Sequence, residues 1–268
     1  MAGGLRLGLE IGRRSFRRAS TYRAATAAGV FVNTVFGYLR ASVLVLVAAS
    51  AGGVVNGMTT VELTTYAFVT QGFIMVTGVF GDTELADRIR TGDIVIDLYR
   101  PADLQWWWLS TWLGRAAFQA MARGIPPVLL GALTFDVRWP DPWWHWLPFA
   151  LSMVLASIVG FGLRFISNLS AFWLLDNRGT DQMVTFVVMF FGGLYLPIAL
   201  FPGPLEAVAR ALPFASMIQL PAEVFLGRYD GAGLAWVLAQ QALWAVALLL
   251  AGRALLGMAT RRVVVQGG

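Results

Sequence analysis

Six stretches of this chain are each about as long and as apolar as a bilayer core is thick, and that pattern leaves few folds open. A helix rises about 1.5 Å per residue, so it needs roughly 20 mostly apolar residues to cross a hydrocarbon layer about 30 Å thick. Residues 24–47, 61–80, 106–135, 147–174, 182–201 and 232–258 meet that requirement. The third and fourth are long enough to tilt, and Pro126-Pro127 predicts a kink inside the third. Only 13% of the 268 residues are charged, whereas soluble domains carry about 25%. No Gly/Ser-rich or Pro-rich stretch reads as a linker. The expected fold class is an all-α membrane protein, with residues 1–268 forming one transmembrane domain.

The charged residues orient the spans. All 20 basic residues are Arg. Arg6, Arg13, Arg14, Arg17, Arg18 and Arg23 precede span one; Arg88, Arg90 and Arg100 follow span two; Arg178 follows span four; Arg261 and Arg262 follow span six. The opposite side holds Arg138, Arg210 and Arg228. The positive-inside rule therefore puts both termini in the cytoplasm, and the segment from Trp139 to Trp146 reads as an outer aromatic belt. The pI near 10.2 is explained by orientation and anionic lipid better than by nucleic acid. Arg13-Arg14-Ser15-Phe16 resembles a twin-arginine export signal, but Arg17, Arg18 and Arg23 interrupt the approach to the apolar stretch. As a helix, residues 5–18 put Leu5, Leu9, Gly12 and Phe16 on one stripe, with the arginines elsewhere around the axis. Residues 1–23 thus read as an amphipathic helix on the cytoplasmic leaflet.

Composition also excludes chemistry. Without Lys there is no phosphate-binding Walker loop and no Schiff base. Without Cys there is no thiol nucleophile, and the single His145 makes no multi-histidine metal site. A membrane-embedded enzyme needs a convergent set of carboxylates, metal ligands or a nucleophile–base pair, and none is visible. An ion- or proton-driven transporter is the alternative to an ATP-driven one, but it needs acids inside the membrane. None lies mid-span; Asp176 and Asp181 fall in a short cytoplasmic turn.

The segment after span two, residues 82–101, is the least lipid-like internal region. Asp82 is placed to cap a helix, with Glu84 in its first turn; Gly92 is a natural stop, with Arg88 and Arg90 in the last turn. Leu85 and Ile89 share a face, and Asp87, Arg88 and Arg90 point elsewhere. Such a helix suits docking into a partner's groove, and it equally suits a solvated loop.

Three sets of residues carry a family likeness. One is Thr21-Tyr22-Arg23-Ala24 at the start of span one. The second is the run Ile89-Arg90-Thr91-Gly92-Asp93-Ile94-Val95-Ile96-Asp97-Leu98-Tyr99-Arg100-Pro101. The third comprises the flanks Gly57 to Tyr66, Leu113-Gly114-Arg115-Ala116, Arg123 to Pro126, and Leu212-Pro213-Phe214 with Pro221. Together they resemble ABC-2 family transporter permeases of the kind marked by I-R-x-G-x-I-x-x-D-L-L-R-P, from which Tyr99 departs. The resemblance implies six spans, an N-terminal interfacial helix, a cytoplasmic coupling helix within 82–101 and an outer helical hairpin over 202–230, an arrangement like that of type V exporters. It implies an exporter in a bacterial cytoplasmic (inner) membrane. The chain itself would hold no cofactor; ATP and Mg would sit on two copies of a separate ATPase, and the second permease would be the same chain or a different one. Docking of that ATPase would fall on Glu84, Leu85, Asp87, Arg88, Ile89, Arg90, Gly92 and Arg100.

Aligned to that family, Arg40 lies towards the outer end of span one, and Arg115, Arg123 and Arg253 lie near cytoplasmic ends. Arg164 sits deeper in span four. With Asn168 it either bonds between helices or lines a translocation path, since charge at membrane depth marks function by default. Asn33, Gln71, Gln182, Gln240 and Gln241 read as interhelical hydrogen-bonders. Gly160 and Gly162 read as close-approach positions. Glu206 and Glu223, at the outer hairpin, either gate or bind, or are solvated surface acids, and the solvated reading is preferred.

Overall fold

The computed structural model describes residues 2–174 and 177–261. Asp176 and Arg262 lie outside the described residues. Helix α1 (Ala2–Ser20) leads through a short turn into α2 (Arg23–Ser50). A two-residue hairpin, β1 (Val54–Val55) and β2 (Met58–Thr59), is the departure from all-α. Its turn is Asn56-Gly57, both at positive φ, the pair that two-residue hairpins favour. Then come α3 (Thr60–Gly72), α4 (Glu84–Thr91), α5 (Ile94–Leu98), α6 (Leu104–Gln119) and α7 (Ile125–Ala132), followed by α8 (Trp146–Leu169) and α9 (Arg178–Phe191). The remainder is α10 (Gly203–Ala211), α11 (Gln219–Phe225) and α12 (Gly231–Thr260).

Among the described residues, three helical segments are long and apolar enough to cross a membrane: Arg23–Ser50, Trp143–Phe172 and Gly231–Thr260. The third expected stretch is helical but interrupted, with a π turn at Ala120–Gly124 just before Pro126-Pro127. That is a known way of relieving the clash of a proline ring with the preceding turn. The second and fifth differ more. Their helices, α3 and α9, are 13 and 14 residues long, about 20 Å each at ~1.5 Å per residue. Each then unwinds, over 73–83 and 192–202.

Unwound backbone is tolerated at membrane depth only where protein groups replace the lost ladder. Here side chains do so. The Tyr66 hydroxyl donates to Gly193 O at 2.7 Å. The amide of Ile198 donates to Gln219 Oε1 at 2.9 Å. From α12, Gln240 Nε2 donates to Arg210 O (2.6 Å), Gln241 Nε2 to Ser216 O (2.9 Å) and Trp244 Nε1 to Ala211 O (3.1 Å). Gln240 and Gln241 are thus bonded between elements, chiefly to backbone.

Helix α1 packs lengthwise on α6. Gly8 lies on Trp106, Gly12 on Ser110 and Gly114, and Phe16 on Phe118, so the two run in the same direction. Ser15 Oγ donates to Thr111 O at 2.7 Å. The buried face is therefore Gly8, Ile11, Gly12 and Ser15, whereas Leu5 and Leu9 are 61% and 75% exposed. Small residues win this face because they let the two backbones approach. A Cβ on Gly114 would stand 2.0 Å from Gly12 O, a backbone atom that cannot yield alone. Gly114→Ala is expected to cost about 1–3 kcal/mol through overpacking, read as a lower melting midpoint of the purified chain. Gly160 and Gly162 are the close-approach points expected of them, against Thr77 O and Leu248.

Candidate functional site

The segment 82–101 folds as a compact unit. Asp82 Oδ1 accepts the Glu84 amide (3.0 Å), which caps α4, and Gly92 ends the helix at φ 84°. After that turn α5 folds back, and the carboxylate of Asp97, 4% exposed, closes the pair. It accepts from Arg88 at 3.0 Å and forms an ion pair with Arg100 at 3.3 Å. The Asp97 hydrogen bond holds the Arg88 guanidinium above its ordinary pKa. Arg100 also stands 4.9 Å above the Trp107 ring, a cation–π contact.

The apolar face of this unit turns inward. Leu85 is 4% exposed and Ile94 3%; both join the core formed by Trp112, Phe161, Phe165 and Leu169. Ile89 and Leu98 pack partly buried against the same core. Leu85 and Ile89, which periodicity offers as a face for a partner, thus cover the protein's own interior. The surface left outward is Asp87, Arg90, Thr91, Gly92 and Asp93, with Ile96 60% and Tyr99 78% exposed. Glu84 reaches across to Arg18 of α1 at 3.4 Å.

Asn168, near the end of α8, fastens this unit to the helices. Its Oδ1 accepts the Ala86 amide at 3.0 Å, one of the donors that the first turn of a helix leaves unpaired. Its Nδ2 donates to Asp82 O (2.8 Å) and to Arg164 O (2.7 Å). One turn earlier in α8, Arg164 is 1% exposed. Its guanidinium donates to Gly78 O (3.0 Å) and to Val79 O, both in the unwound stretch, and to Asp181 Oδ1 (2.8 Å) and Thr185 Oγ1 (2.8 Å) on α9. Arg164 and Asn168 are adjacent parts of one connected set of bonds running from α4 through α8 to α9. Asp82 also pairs with Arg115 of α6.

A second buried network joins α10, α11 and the loop that follows α11. Glu223, 2% exposed, takes Arg210 through two oxygens at 2.9 Å each, Gln219 Nε2 at 2.8 Å and the Tyr229 hydroxyl at 2.5 Å. Burial works against the charge on Arg210, but the bonds to Glu223 outweigh it and hold the guanidinium above its ordinary pKa. Burial and Glu223 push the Tyr229 hydroxyl up as well. Beside this network, Glu62 closes a capping box with Thr59 and takes Arg138 at 3.0 Å and Arg228 at 3.1 Å. Glu223 is thus a buried bonding group, contrary to its reading as a solvated acid. Hydropathy alone does not reveal it; the Arg-Ala-Leu-Pro turn that aims Arg210 at it is the available signal. Among the described residues, no group of acids and histidine has the geometry to hold a metal ion.

A family model described as ABC-2 family transporter protein matches residues 35–267. The chain belongs to the ABC-2 transporter family. No curated protein matches it. An ABC-2 permease is a membrane subunit, and membership implies association with an ABC ATPase component. The match covers α3 to α12 and all but the first turns of α2, so the α4–α5 unit and the Arg164 network both lie within it, while α1 lies outside it.

Proposed function

We propose that this ABC-2 permease is the transmembrane half of an ATP-driven exporter, energised by a separate ATPase that docks on the exposed side of α4 and α5. Its place is a bacterial cytoplasmic membrane, with both termini inside and six passes, two of them short helices continued by unwound chain. It works as one of a permease pair above two ATPase copies. The observation that carries the reading is the build of residues 82–101. A charged, capped two-helix unit is closed by one carboxylate, rooted in the core by Leu85 and Ile94, and open outward at Asp87, Arg90, Ile96 and Tyr99.

That build gives a route for force. An ATPase pressing on α4 moves Asn168, which is bonded to both ends of its first turn. Through Arg164 the same displacement reaches α9 and the unwound end of the α3 segment. A rigid element biased by one ligand and packed on two others is the minimum that alternating access requires. Asp97, Glu62 and Glu223 are each held by arginine, so among the described residues no unpaired buried acid favours a proton-driven cycle.

The test separates docking from folding. Ile96→Asp with Tyr99→Ala alters exposed side chains, and the melting midpoint is expected to stay within about 0.5 kcal/mol of the parent. Co-purification of the ATPase from cells expressing both subunits should fall about tenfold or more, equivalent to 1.4 kcal/mol or more of association energy. Leu85→Asp is expected to lose folded chain instead, because it puts a charge into the core. Full ATPase recovery with the Ile96/Tyr99 variant would overturn the docking surface.

A further inference from the structure

Between α1, the α4–α5 unit and α6 lies a cavity of about 520 Å³, within the roughly 300–1,000 Å³ of small-molecule sites. Its walls differ in chemistry. One side is apolar and aromatic, with Leu7 and Ile11 of α1 facing Trp107 and Trp108 of α6. The other side carries Arg14, Arg18, Arg88 and Arg100. Three acids line it too, and each is already engaged: Glu10 with Arg14 at 3.1 Å, Glu84 with Arg18, and Asp97 with both Arg88 and Arg100. One carboxylate thus serves two guanidiniums, which leaves a positive charge in excess beside Trp107.

The location narrows the ligand. Helix α1 presents Leu5 and Leu9 outward and carries Arg6, Arg13 and Arg17 besides, the composition of a helix at a lipid–water boundary. A basic, aromatic-walled pocket at the cytoplasmic end of membrane helices is the kind of place that holds an anionic lipid headgroup. The geometry points to a binding site for the phosphodiester headgroup of an anionic glycerophospholipid, with its phosphate against Arg14 and Arg100 and its glycerol and upper chain against Leu7, Trp107 and Trp108. Arg18–Glu84 and Asp97 sit in the same walls, so an occupied site ties α1 to the α4–α5 unit. The site does not depend on the ATPase docking surface, and its test is made on the purified permease alone.

The full-length chain in detergent at about 0.15 M salt, where exposed charges are screened, is melted with increasing phosphatidylglycerol, phosphatidylcholine or inorganic phosphate. Phosphatidylglycerol should stabilise the parent at concentrations where the other two do not. In Arg14→Gln/Arg100→Gln the half-saturating concentration should rise roughly tenfold or more, since each arginine near anionic lipid is worth on the order of fivefold. The charge-matched Arg6→Gln/Arg13→Gln, which alters residues outside the cavity, should shift it by less than about twofold, and Arg14→Lys/Arg100→Lys should keep most of the effect. Equal losses in the two Gln pairs would mean surface electrostatics and overturn the site. So would equal stabilisation by phosphatidylcholine, or saturation by free phosphate. A parent indifferent to all three probes, whose Arg14/Arg100 variant loses the ATPase on co-purification, would assign the cavity to the protein partner and overturn the lipid site equally.

Discussion

Arg164→Met is expected to remove about 3–5 kcal/mol of folding stability, the usual consequence of deleting one member of a buried ion pair. The loss has two parts. The Asp181 carboxylate loses its bond to the Arg164 guanidinium, and Gly78 O and Val79 O lose their donor where the chain has no helical ladder to fall back on. Arg164→Lys should recover only part of this, because an ammonium lacks the planar fork that reaches two segments at once. Adding Asp181→Asn to Arg164→Met should recover the charge part and leave the carbonyls unserved, so the pair is predicted to be non-additive by about 1 kcal/mol or more. Melting of the purified chain, with recovered yield from membranes as a second readout, decides the matter. If Arg164→Met melts with the parent, the guanidinium does not hold the 73–83 stretch.

Arg210→Met should have an effect of similar size in the second buried network, again about 3–5 kcal/mol. It strands the carboxylate of Glu223, which is 2% exposed, with only Gln219 and Tyr229 as donors. The damage should stay local at first. α10 and α11 lose their mutual anchor, while Glu62, Arg138 and Arg228 still hold the β hairpin and α3. Limited proteolysis of the purified chain should therefore cut within 202–230 before any other loop. Glu223→Gln in the same chain should restore resistance in part, because the amide removes the stranded charge. Cleavage unchanged from the parent in the single variant would show that the hairpin is held by its apolar contacts alone.

Much of this was legible in the residues because it depends on length and local chemistry. The three long apolar helices α2, α8 and α12, the Asp82 bond at the start of α4, the Gly92 stop and the small residues of α8 follow from rules that act within a few positions. Which face of α4 turns inward did not follow. Periodicity shows that Leu85 and Ile89 share a face, but only the third dimension shows Trp112 and Phe165 waiting for it. The same limit applies to α1, where the leucine stripe was legible and the glycine–glycine contact with α6 was not. Residues 73–83 and 192–202 are apolar enough to read as helix. They unwind because Arg164, Tyr66 and Gln219, distant in sequence, supply the bonds. The Asn56-Gly57 turn, by contrast, was a local hairpin signal that length-based reading passed over.

The bonds between Arg164 and the unwound stretch also set what can be exchanged between relatives of this chain. A helix that satisfies its own backbone is a transferable part. Here α8 carries a donor meant for carbonyls some eighty positions earlier, and those carbonyls have no use for a foreign α8 that lacks it. A chimera that takes α8 alone inherits a buried cation without acceptors; one that takes 73–83 alone inherits acceptors without a cation. The smallest workable graft is therefore discontinuous: residues 73–83, α8 and the first two turns of α9 moved together.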